Sequence, residues 1–210
     1  MINILFCGNK DVFDGILTSM LSILKRTETK EPFSFYLFTM DLSEVKDSYL
    51  PLTEEQANIL STAAKKYNEN NEIILTDVSD IYKRTLLGCP NEGAYCSAYT
   101  LIRLLADLVP NMPQKLLYLD VDVMFNRDVR LLYKIDISGY EYAGARDHYG
   151  KYLINPNYLN AGVILFNMSE ARKTNLFEKA RGELIRKKLV FADQSALIRA
   201  TSKRKMLQAP

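Results

Sequence analysis

Two aspartates separated by one residue, Asp120 and Asp122, come directly after the apolar run 116–119. The run predicts a buried strand at 115–119 that stops at Asp120. Ligands of open α/β sheets gather at the carboxyl ends of strands, and residues i and i+2 of an extended chain point to the same side. Both carboxylates could therefore reach one Mg²⁺ or Mn²⁺, which could bridge a diphosphate and stabilise it as a leaving group. The alternative is a pair of solvated acids at the end of a strand.

Haloacid-dehalogenase-type phosphatases also place two aspartates after a strand. Their pattern has Thr or Val two residues after the second aspartate, whereas this chain has Met124 there. The phosphatase interpretation is therefore the weaker one.

The first third of the chain alternates between strand and helix patterns. Strands are predicted at 2–7, 34–39 and 72–76. A helix with apolar residues at helical spacing follows the first strand, and a second helix runs from a capping box at Thr53 and Gln56 to about residue 67. This alternation predicts an α/β fold with a Rossmann-like parallel sheet and covering helices.

The rest of the chain adds elements around the aspartate pair. Helices are predicted at 94–108 and 193–200, an amphipathic basic helix at 170–189, and further strands at 142–145 and 162–166. We find no internal repeat and no linker, so one domain over 1–210 is expected.

The composition is that of a globular protein, with 48% hydrophobic and 25% charged residues. A net charge of +2 gives no reason to expect a nucleic-acid partner. Residues 170–210 hold 11 basic and 4 acidic side chains, which suits an anionic surface, either a membrane or a phosphate-bearing substrate, or else a solvated helix face.

No apolar stretch is long enough to span a bilayer, and three cysteines without zinc-site spacing favour a reducing compartment. We expect a cytoplasmic protein, with peripheral contact at the inner face of the membrane through its basic C-terminal region.

Four segments together resemble glycosyltransferase family 8. They are Ile-Leu-Phe-Cys-Gly-Asn (4–9), Leu-Tyr-Leu-Asp-Val-Asp-Val (117–123), Leu-Asn-Ala-Gly-Val-Ile-Leu-Phe-Asn (159–167) and Ala-Asp-Gln-Ser-Ala-Leu (192–197). The resemblance runs in order over nearly the whole chain. It implies a GT-A fold with a mixed sheet, and metal-dependent, retaining transfer of a hexose (glucose or galactose) from a UDP-sugar. The implied acceptor is a glycan or lipid-linked glycan of the bacterial cell surface.

The resemblance also assigns roles by position, with Asp120 and Asp122 as ligands of Mn²⁺ or Mg²⁺. Asp193 and Gln194 would lie nearest the anomeric carbon, and Asp147 would be the acceptor-side acid. The implied donor-binding residues are Cys7, Gly8, Asn9, Arg103, Val121, Asn160, Ala161 and Gly162. Arg103 could engage a diphosphate bidentately, or be a surface helix arginine. Without the resemblance, residues 160–162 read as a turn opening a strand and Asp193 as an N-cap candidate.

Two features depart from the family pattern. Asn9 stands where members commonly have aspartate, although an amide can still pair with a uracil edge. The family's C-terminal metal-ligating histidine and phosphate-binding lysine, near a Gly-x-x-Lys-Pro-Trp run, are not found, so the C-terminal part is expected to be missing. His148 could substitute as a ligand or be a solvated loop histidine, and the run 203–205 could supply charge for phosphate.

Three functions follow for comparison. The first is a hexosyltransferase that acts by front-face attack, since Gln194 is a poor nucleophile and a retaining enzyme otherwise needs a covalent intermediate. The second is a catalytically inactive nucleotide-sugar-binding or interaction module with the same fold. The third is a nucleotidyltransferase, which the lack of a glycine-rich phosphate loop after the first strand makes the weakest.

Overall fold

A computed structural model describes residues 1–93, 97–202 and 206–208, and it contains a seven-stranded sheet. The strands are β1 (Ile2–Cys7), β2 (Phe33–Thr39), β3 (Glu72–Asp77), β4 (Lys115–Leu119), β5 (Tyr142–Arg146), β6 (Leu159–Asn167) and β7 (Met206–Gln208). Their order across the sheet is β3-β2-β1-β4-β6-β5-β7. The parallel pairing of β3, β2 and β1 confirms the Rossmann-like half that the strand–helix alternation predicts.

The direction of β6 decides where the candidate site forms. This strand is antiparallel to both β4 and β5, whereas β1 to β4 run parallel to one another. The first residues of β6 therefore lie beside the carboxyl ends of β4 and β5, with Val163 opposite Leu119 and Leu159 opposite Arg146. Residues at the start of one strand thus join residues that follow two others.

Helices cover the two faces of the sheet. They are α1 (Phe13–Arg26), α2 (Glu54–Lys65), α3 (Ser79–Thr85), α4 (Arg130–Tyr133), α5 (Gly150–Leu153), α6 (Met168–Lys173), α7 (Leu176–Arg186) and α8 (Ala192–Ala200), with 3₁₀-helices at Lys10–Val12 and Ala98–Leu105. One buried cluster packs α1 and α2 against one face, and another packs the second 3₁₀-helix, α7 and α8 against the other. The capping box that opens α2 is confirmed: Thr53 and Gln56 each bond the other's backbone N–H at 3.1 Å.

Two predicted helices differ from the observed ones. The single helix over 170–189 is wrong, because Asn175 takes a left-handed conformation (φ 55°) that separates α6 from α7, and α7 ends at Arg186. The helix over 94–108 is observed only as the 3₁₀-helix Ala98–Leu105, and residues 94–96 lie outside the described part of the chain. A left-handed break of this kind leaves the apolar periodicity almost unchanged, so periodicity alone does not reveal it.

None of the helices within the described residues is long and apolar enough to cross a membrane.

Candidate active site

The aspartate pair lies at the carboxyl edge of the sheet, but not in extended geometry. The chain turns after β4, with the N–H of Val123 bonded to the carbonyl of Asp120 at 3.3 Å. The prediction that an extended backbone directs both carboxylates to the same side is therefore wrong. The turn nevertheless leaves the Asp120 side chain 38% exposed and Asp122 exposed, both on one cleft.

This cleft has a volume of about 230 Å³ and brings distant segments together. It is lined by Cys7, Gly8, Asn9, Val12, Ser97, Tyr99, Thr100, Tyr118, Asp120, Val121 and Asp122. Six of the predicted site residues are among them: the end of β1 and its next two residues, both aspartates, and Val121. The cleft forms because β1 and β4 are adjacent parallel strands that end at the same edge.

The end of β1 presents backbone and small side chains to the cleft. A Cβ on Gly8 would lie 2.3 Å from Cγ2 of Val12, so this position suits glycine alone unless Val12 moves. The amide of Asn9 donates to Oδ2 of Asp11 (3.0 Å) and to the carbonyl of Ser48 (3.3 Å). Burial raises the pKa of the Cys7 thiol, so this side chain is neutral.

Arg103 lies beneath the cleft rather than on it. Only 3% of the residue is exposed, and its guanidinium donates to the carbonyls of Thr100 (2.9 Å) and Ala161. It also approaches Oδ1 of Asp120 at 3.5 Å and Oδ2 of Asp193 at 3.0 Å. Burial opposes the charge, but the neighbouring carboxylates outweigh it and raise the pKa of Arg103, which stays a cation. The surface-helix alternative for this arginine is therefore wrong.

Asp193 is enclosed by the protein. Its side chain is 6% exposed, and its Oδ2 makes no hydrogen bond although Arg103 is 3.0 Å away. Burial raises the pKa of this carboxyl, while Arg103 acts in the opposite direction. Asp193 lies inside α8, whose N-cap is Phe191, so the N-cap interpretation is wrong. The residue is a buried partner of Arg103.

Tyr118 is a site residue that the sequence analysis did not select. Its hydroxyl donates to Oδ1 of Asp120 at 2.6 Å, and the guanidinium carbon of Arg103 stands 4.1 Å from its ring centroid. Burial raises the pKa of Tyr118, so the hydroxyl keeps its proton and remains a donor. The spacing of Tyr118 and Asp120, two residues apart at a strand end, is the signal that could have revealed this contact.

The start of β6 touches the aspartate directly. The N–H of Asp120 bonds the carbonyl of Gly162 at 2.8 Å, and the N–H of Gly162 bonds Oδ1 of Asn160 at 2.8 Å. A Cβ at position 162 would lie 2.9 Å from Oδ2 of Asp120 and 3.1 Å from Oδ1 of Asn160. A side chain at this position would force the Asp120 carboxylate to move, because the backbone passes against its oxygen.

A second group of predicted residues surrounds Gln194. Its Oε1 accepts from the N–H of Ala161 (3.1 Å), and its Nε2 donates to Oδ2 of Asp147 (3.2 Å). The same oxygen of Asp147 accepts from the amide of Asn160 at 3.3 Å. Partial burial acts to raise the pKa of Asp147, but these bonds and those from the N–H groups of Gly150 and Tyr149 lower it below the usual value. Asp147 is thus ionised at neutral pH.

The two groups form one continuous site. Ala161 joins them, because its carbonyl accepts from Arg103 and its N–H donates to Gln194. His148 is not part of this network; it is exposed, with its ring edge-on to Tyr149 at 5.1 Å. The basic run 203–205 lies outside the described residues.

Two carboxylates line the cleft where a metal ion could bind. Within residues 1–93, 97–202 and 206–208, no group of three or more His, Cys, Asp or Glu side chains could hold a metal ion. Asp120 and Asp122 alone offer carboxylate oxygens to the cleft. Magnesium is typically held in this way, by one or two carboxylates with substrate phosphate and water in the other positions.

Comparison with known proteins gives the family. The model of glycosyl transferase family 8 matches residues 3–200. A Haemophilus influenzae protein provisionally named a glycosyltransferase is 28% identical over 189 residues, which are 85% of this chain and 52% of that protein. This chain therefore spans about half the length of that relative.

Solved structures share the fold at low identity. A crystal structure of an active-site mutant of LgtC, with glutamate in place of a glutamine, has a TM-score of 0.79 at 17% identity, covering 99% of this chain and 72% of that one. The galactosyltransferase LgtC in complex with donor and acceptor sugar analogues has a TM-score of 0.77 at 17% identity, with 99% and 73% covered. The glycosyltransferase GlyE of Streptococcus pneumoniae has a TM-score of 0.69 at 20% identity, with 99% and 45% covered. These likenesses confirm the GT-A fold, and with the family match they show that the chain belongs to glycosyltransferase family 8.

Proposed function

We propose that this chain is the catalytic domain of a retaining glycosyltransferase. It transfers a hexose, glucose or galactose, from a UDP-sugar to a glycan or lipid-linked glycan acceptor, with Mn²⁺ or Mg²⁺ bound at Asp120 and Asp122. One observation carries the proposal: in a family 8 chain, β6 runs antiparallel to β4 and β5. It thereby brings Gly162 against Asp120, which follows β4, and Asn160 against Asp147, which follows β5. A polar site contiguous with a cleft is the arrangement that donor and acceptor require.

The cleft supplies the donor side of the reaction. Cys7, Gly8, Asn9 and Val121 line it together with the two aspartates. A nucleoside fits between small side chains and exposed backbone, with its diphosphate directed to the aspartates. The LgtC complex with a donor analogue supports this placement by fold.

The aspartates fit a divalent cation. Gly162 leaves Oδ2 of Asp120 uncovered by a side chain, and Asp122 is exposed on the same cleft. When bound, the cation neutralises the diphosphate and makes it a better leaving group. The Tyr118 hydroxyl holds the other oxygen of Asp120, which fixes the orientation of that carboxylate before any ligand arrives.

Arg103 acts on the donor site through other residues. Its guanidinium is occupied by two carbonyls and two carboxylates, so in this conformation it does not present a fork to a diphosphate. Through these contacts the Arg103 guanidinium links the 3₁₀-helix Ala98–Leu105 to β6, to α8 and to Asp120, the residue after β4. Arg103 is a positioning residue in this proposal.

Gln194 and Asp147 supply the acceptor side. Both ends of the Gln194 amide are engaged, which holds its side chain in one orientation beside Ala161. The ionised Asp147 already accepts four hydrogen bonds, so an acceptor hydroxyl would replace the amide of Asn160 or Gln194 on Oδ2.

The burial of Asp193 supports front-face attack. A carboxylate that is 6% exposed and 3.0 Å from Arg103 is poorly placed to attack an anomeric carbon. The amide of Gln194 is a poor nucleophile, so attack of the acceptor on the face that UDP leaves is the simpler route to retention. A glycosyl adduct on Asp193, detected by mass spectrometry during turnover, would contradict this route.

Calorimetric titration of UDP, with and without Mn²⁺, tests the donor and metal site. We expect Mn²⁺-dependent binding that Asp122→Ala abolishes, because that change removes one of two carboxylate ligands. Asp80→Ala is the matched control, since Asp80 is also exposed but lies in α3 away from the cleft. Mn²⁺-independent binding, or equal loss in both variants, would refute the metal assignment.

Turnover separates an enzyme from a binding module. Release of UDP from UDP-glucose or UDP-galactose, followed with and without added glycans, should depend on Gln194 and Asp147. NMR of the product should show the donor's anomeric configuration. UDP-sugar binding without any turnover would favour the inactive module instead.

A further inference from the structure

The segment immediately after Asp147 exposes an unusual amount of apolar surface. We call residues 148–154, which include the short helix α5, the aromatic loop. In it Tyr149 is 71% exposed, Tyr152 77%, Leu153 76% and Ile154 44%. Single exposed hydrophobic residues are common on proteins, but a contiguous group marks an interaction surface.

The loop is fixed from the inside, so its side chains are directed outward. Oδ1 of Asp147 accepts the N–H groups of Tyr149 (3.0 Å) and Gly150 (2.6 Å), and the carbonyl of Gly150 accepts the N–H of Ile154 at 2.9 Å. Gly150 packs on Tyr158 so closely that a Cβ would lie 2.1 Å from the ring. The backbone thus fills the inner side of the loop, and Tyr149, Tyr152 and Leu153 leave most of their surface to solvent.

The loop itself carries no acidic side chain. No Asp or Glu occurs from residue 148 to residue 169. Lys151 holds its ammonium 4.8 Å from the ring centroid of Tyr152, and the exposed Arg146 bonds the neutral amide of Gln208 at 2.6 Å. The nearest acid in the sequence, Asp147, directs its oxygens to the loop backbone and to Gln194. The exposed tip is therefore apolar and cationic.

We propose that the aromatic loop is a membrane-interface contact that inserts Tyr149, Tyr152 and Leu153 among the headgroups of an anionic bilayer. Tyrosine and leucine beside lysine and arginine are the residues that bind such an interface. A glycan could bond the hydroxyls of Tyr149 and Tyr152, but it is a less suitable occupant because Leu153 and Ile154 offer its own hydroxyls no polar partner. This surface differs from the basic C-terminal region that the sequence analysis selected. One consequence rests on the proposed function: the contact places the Asp147 rim of the site at the bilayer, where a lipid-linked acceptor resides.

Vesicle binding of the full chain tests the contact. Flotation is measured with unilamellar vesicles of phosphatidylcholine containing about one third phosphatidylglycerol, and with phosphatidylcholine alone. We expect binding to the anionic vesicles that falls about tenfold or more on the neutral ones or in high salt, because each cation near the surface strengthens binding several-fold.

The double variant Tyr152→Ser/Leu153→Ser should bind the anionic vesicles about tenfold more weakly. Tyr67→Ser/Leu131→Ser is the matched control, since these are the same residue types, 50% and 60% exposed, at other places on the surface. The control should bind like the parent, and circular dichroism should show both variants folded. Hydrolysis of UDP-sugar without acceptor should be unchanged in both, which separates this proposal from the proposed function.

Three results would overturn the contact. The first is that the parent chain does not bind vesicles. The second is an equal loss of vesicle binding in the two double variants. The third is that Tyr152→Ser/Leu153→Ser binds vesicles like the parent but no longer transfers sugar to free glycans. The third would make the loop an acceptor subsite rather than a membrane surface.

Discussion

The ion pair between Arg103 and Asp193 gives the sharpest prediction. The two side chains are 4% and 6% exposed, and their closest atoms are 3.0 Å apart. Arg103→Met keeps much of the length of the side chain but leaves the Asp193 carboxylate buried without its cation. Removal of one partner of a buried pair costs about 3–5 kcal/mol in the free energy of unfolding. The lost bonds to the carbonyls of Thr100 and Ala161 place this variant toward the upper end.

A double-mutant cycle isolates the charge. Adding Asp193→Asn to Arg103→Met removes the stranded carboxylate, so the double variant should be more stable than the sum of the single changes predicts. We expect a coupling energy of about 2 kcal/mol. Arg199→Met, at an exposed arginine of α8, is the matched control and should change stability by no more than about 0.5 kcal/mol.

The effect should also depend on pH. Burial raises the pKa of Asp193 even beside Arg103, and loss of the cation raises it further. A carboxyl whose folded pKa exceeds the unfolded value of about 3.9 binds its proton more tightly in the folded state. Stability therefore falls as pH rises from the unfolded pKa through the folded pKa. The deficit of Arg103→Met relative to the parent should therefore shrink as pH is lowered from 7 to 5.

Urea unfolding followed by circular dichroism measures these free energies. Equal slopes of free energy against urea concentration in all variants would show that each unfolds in a two-state transition. A cost of Arg103→Met below about 1 kcal/mol, simple additivity in the cycle, or the same deficit at both pH values would refute the reasoning.

Three further predictions concern packing and orientation at single positions. Gly162→Ala should abolish Mn²⁺-dependent UDP binding by calorimetry, because its Cβ would lie 2.9 Å from Oδ2 of Asp120, whereas Gly182→Ala in α7 meets nothing within 4 Å and should leave binding intact. Tyr118→Phe should weaken Mn²⁺ binding several-fold, measured by electron paramagnetic resonance of the free ion, since the carboxylate loses its 2.6 Å donor. Asn91→Ala should destabilise the fold by about 2–3 kcal/mol in urea, because this side chain, 1% exposed, makes three backbone hydrogen bonds of 2.7 Å.

Each of these has a contrary result. Equal loss of UDP binding in the two glycine variants would show that the close approach at position 162 is unimportant. Unchanged Mn²⁺ affinity in Tyr118→Phe would mean that the hydroxyl does not orient the aspartate. A cost below about 1 kcal/mol for Asn91→Ala would mean that water or another group satisfies the three backbone positions.

Local signals in the sequence were sufficient for most elements of the fold. β1 and β4 begin and end where the apolar runs predict, and α2 begins at its capping box. Local signals failed where the backbone leaves its regular path without a change of pattern. The left-handed Asn175 splits one predicted helix into α6 and α7, and the short α3, α4 and α5 and the three-residue β7 were not predicted.

The candidate site was predicted in membership more than in arrangement. Six predicted residues line one cleft, and Asn160, Asp147 and Gln194 form one hydrogen-bonded network. The inward position of Arg103 and the contact of Tyr118 with Asp120 were not predicted, since both are decided by packing between separate elements.

The sequence by itself determined which residues are available and where apolar strands stop, because these are properties of neighbouring positions along the chain. Only the tertiary structure decided that β6 runs against β4 and β5, which places Gly162 on Asp120 and Asn160 on Asp147. It also decided that Arg103 is buried among carboxylates 17 and 90 positions away in the sequence. Contacts over such separations depend on how the sheet is ordered and how helices cover it, and no local period records that order.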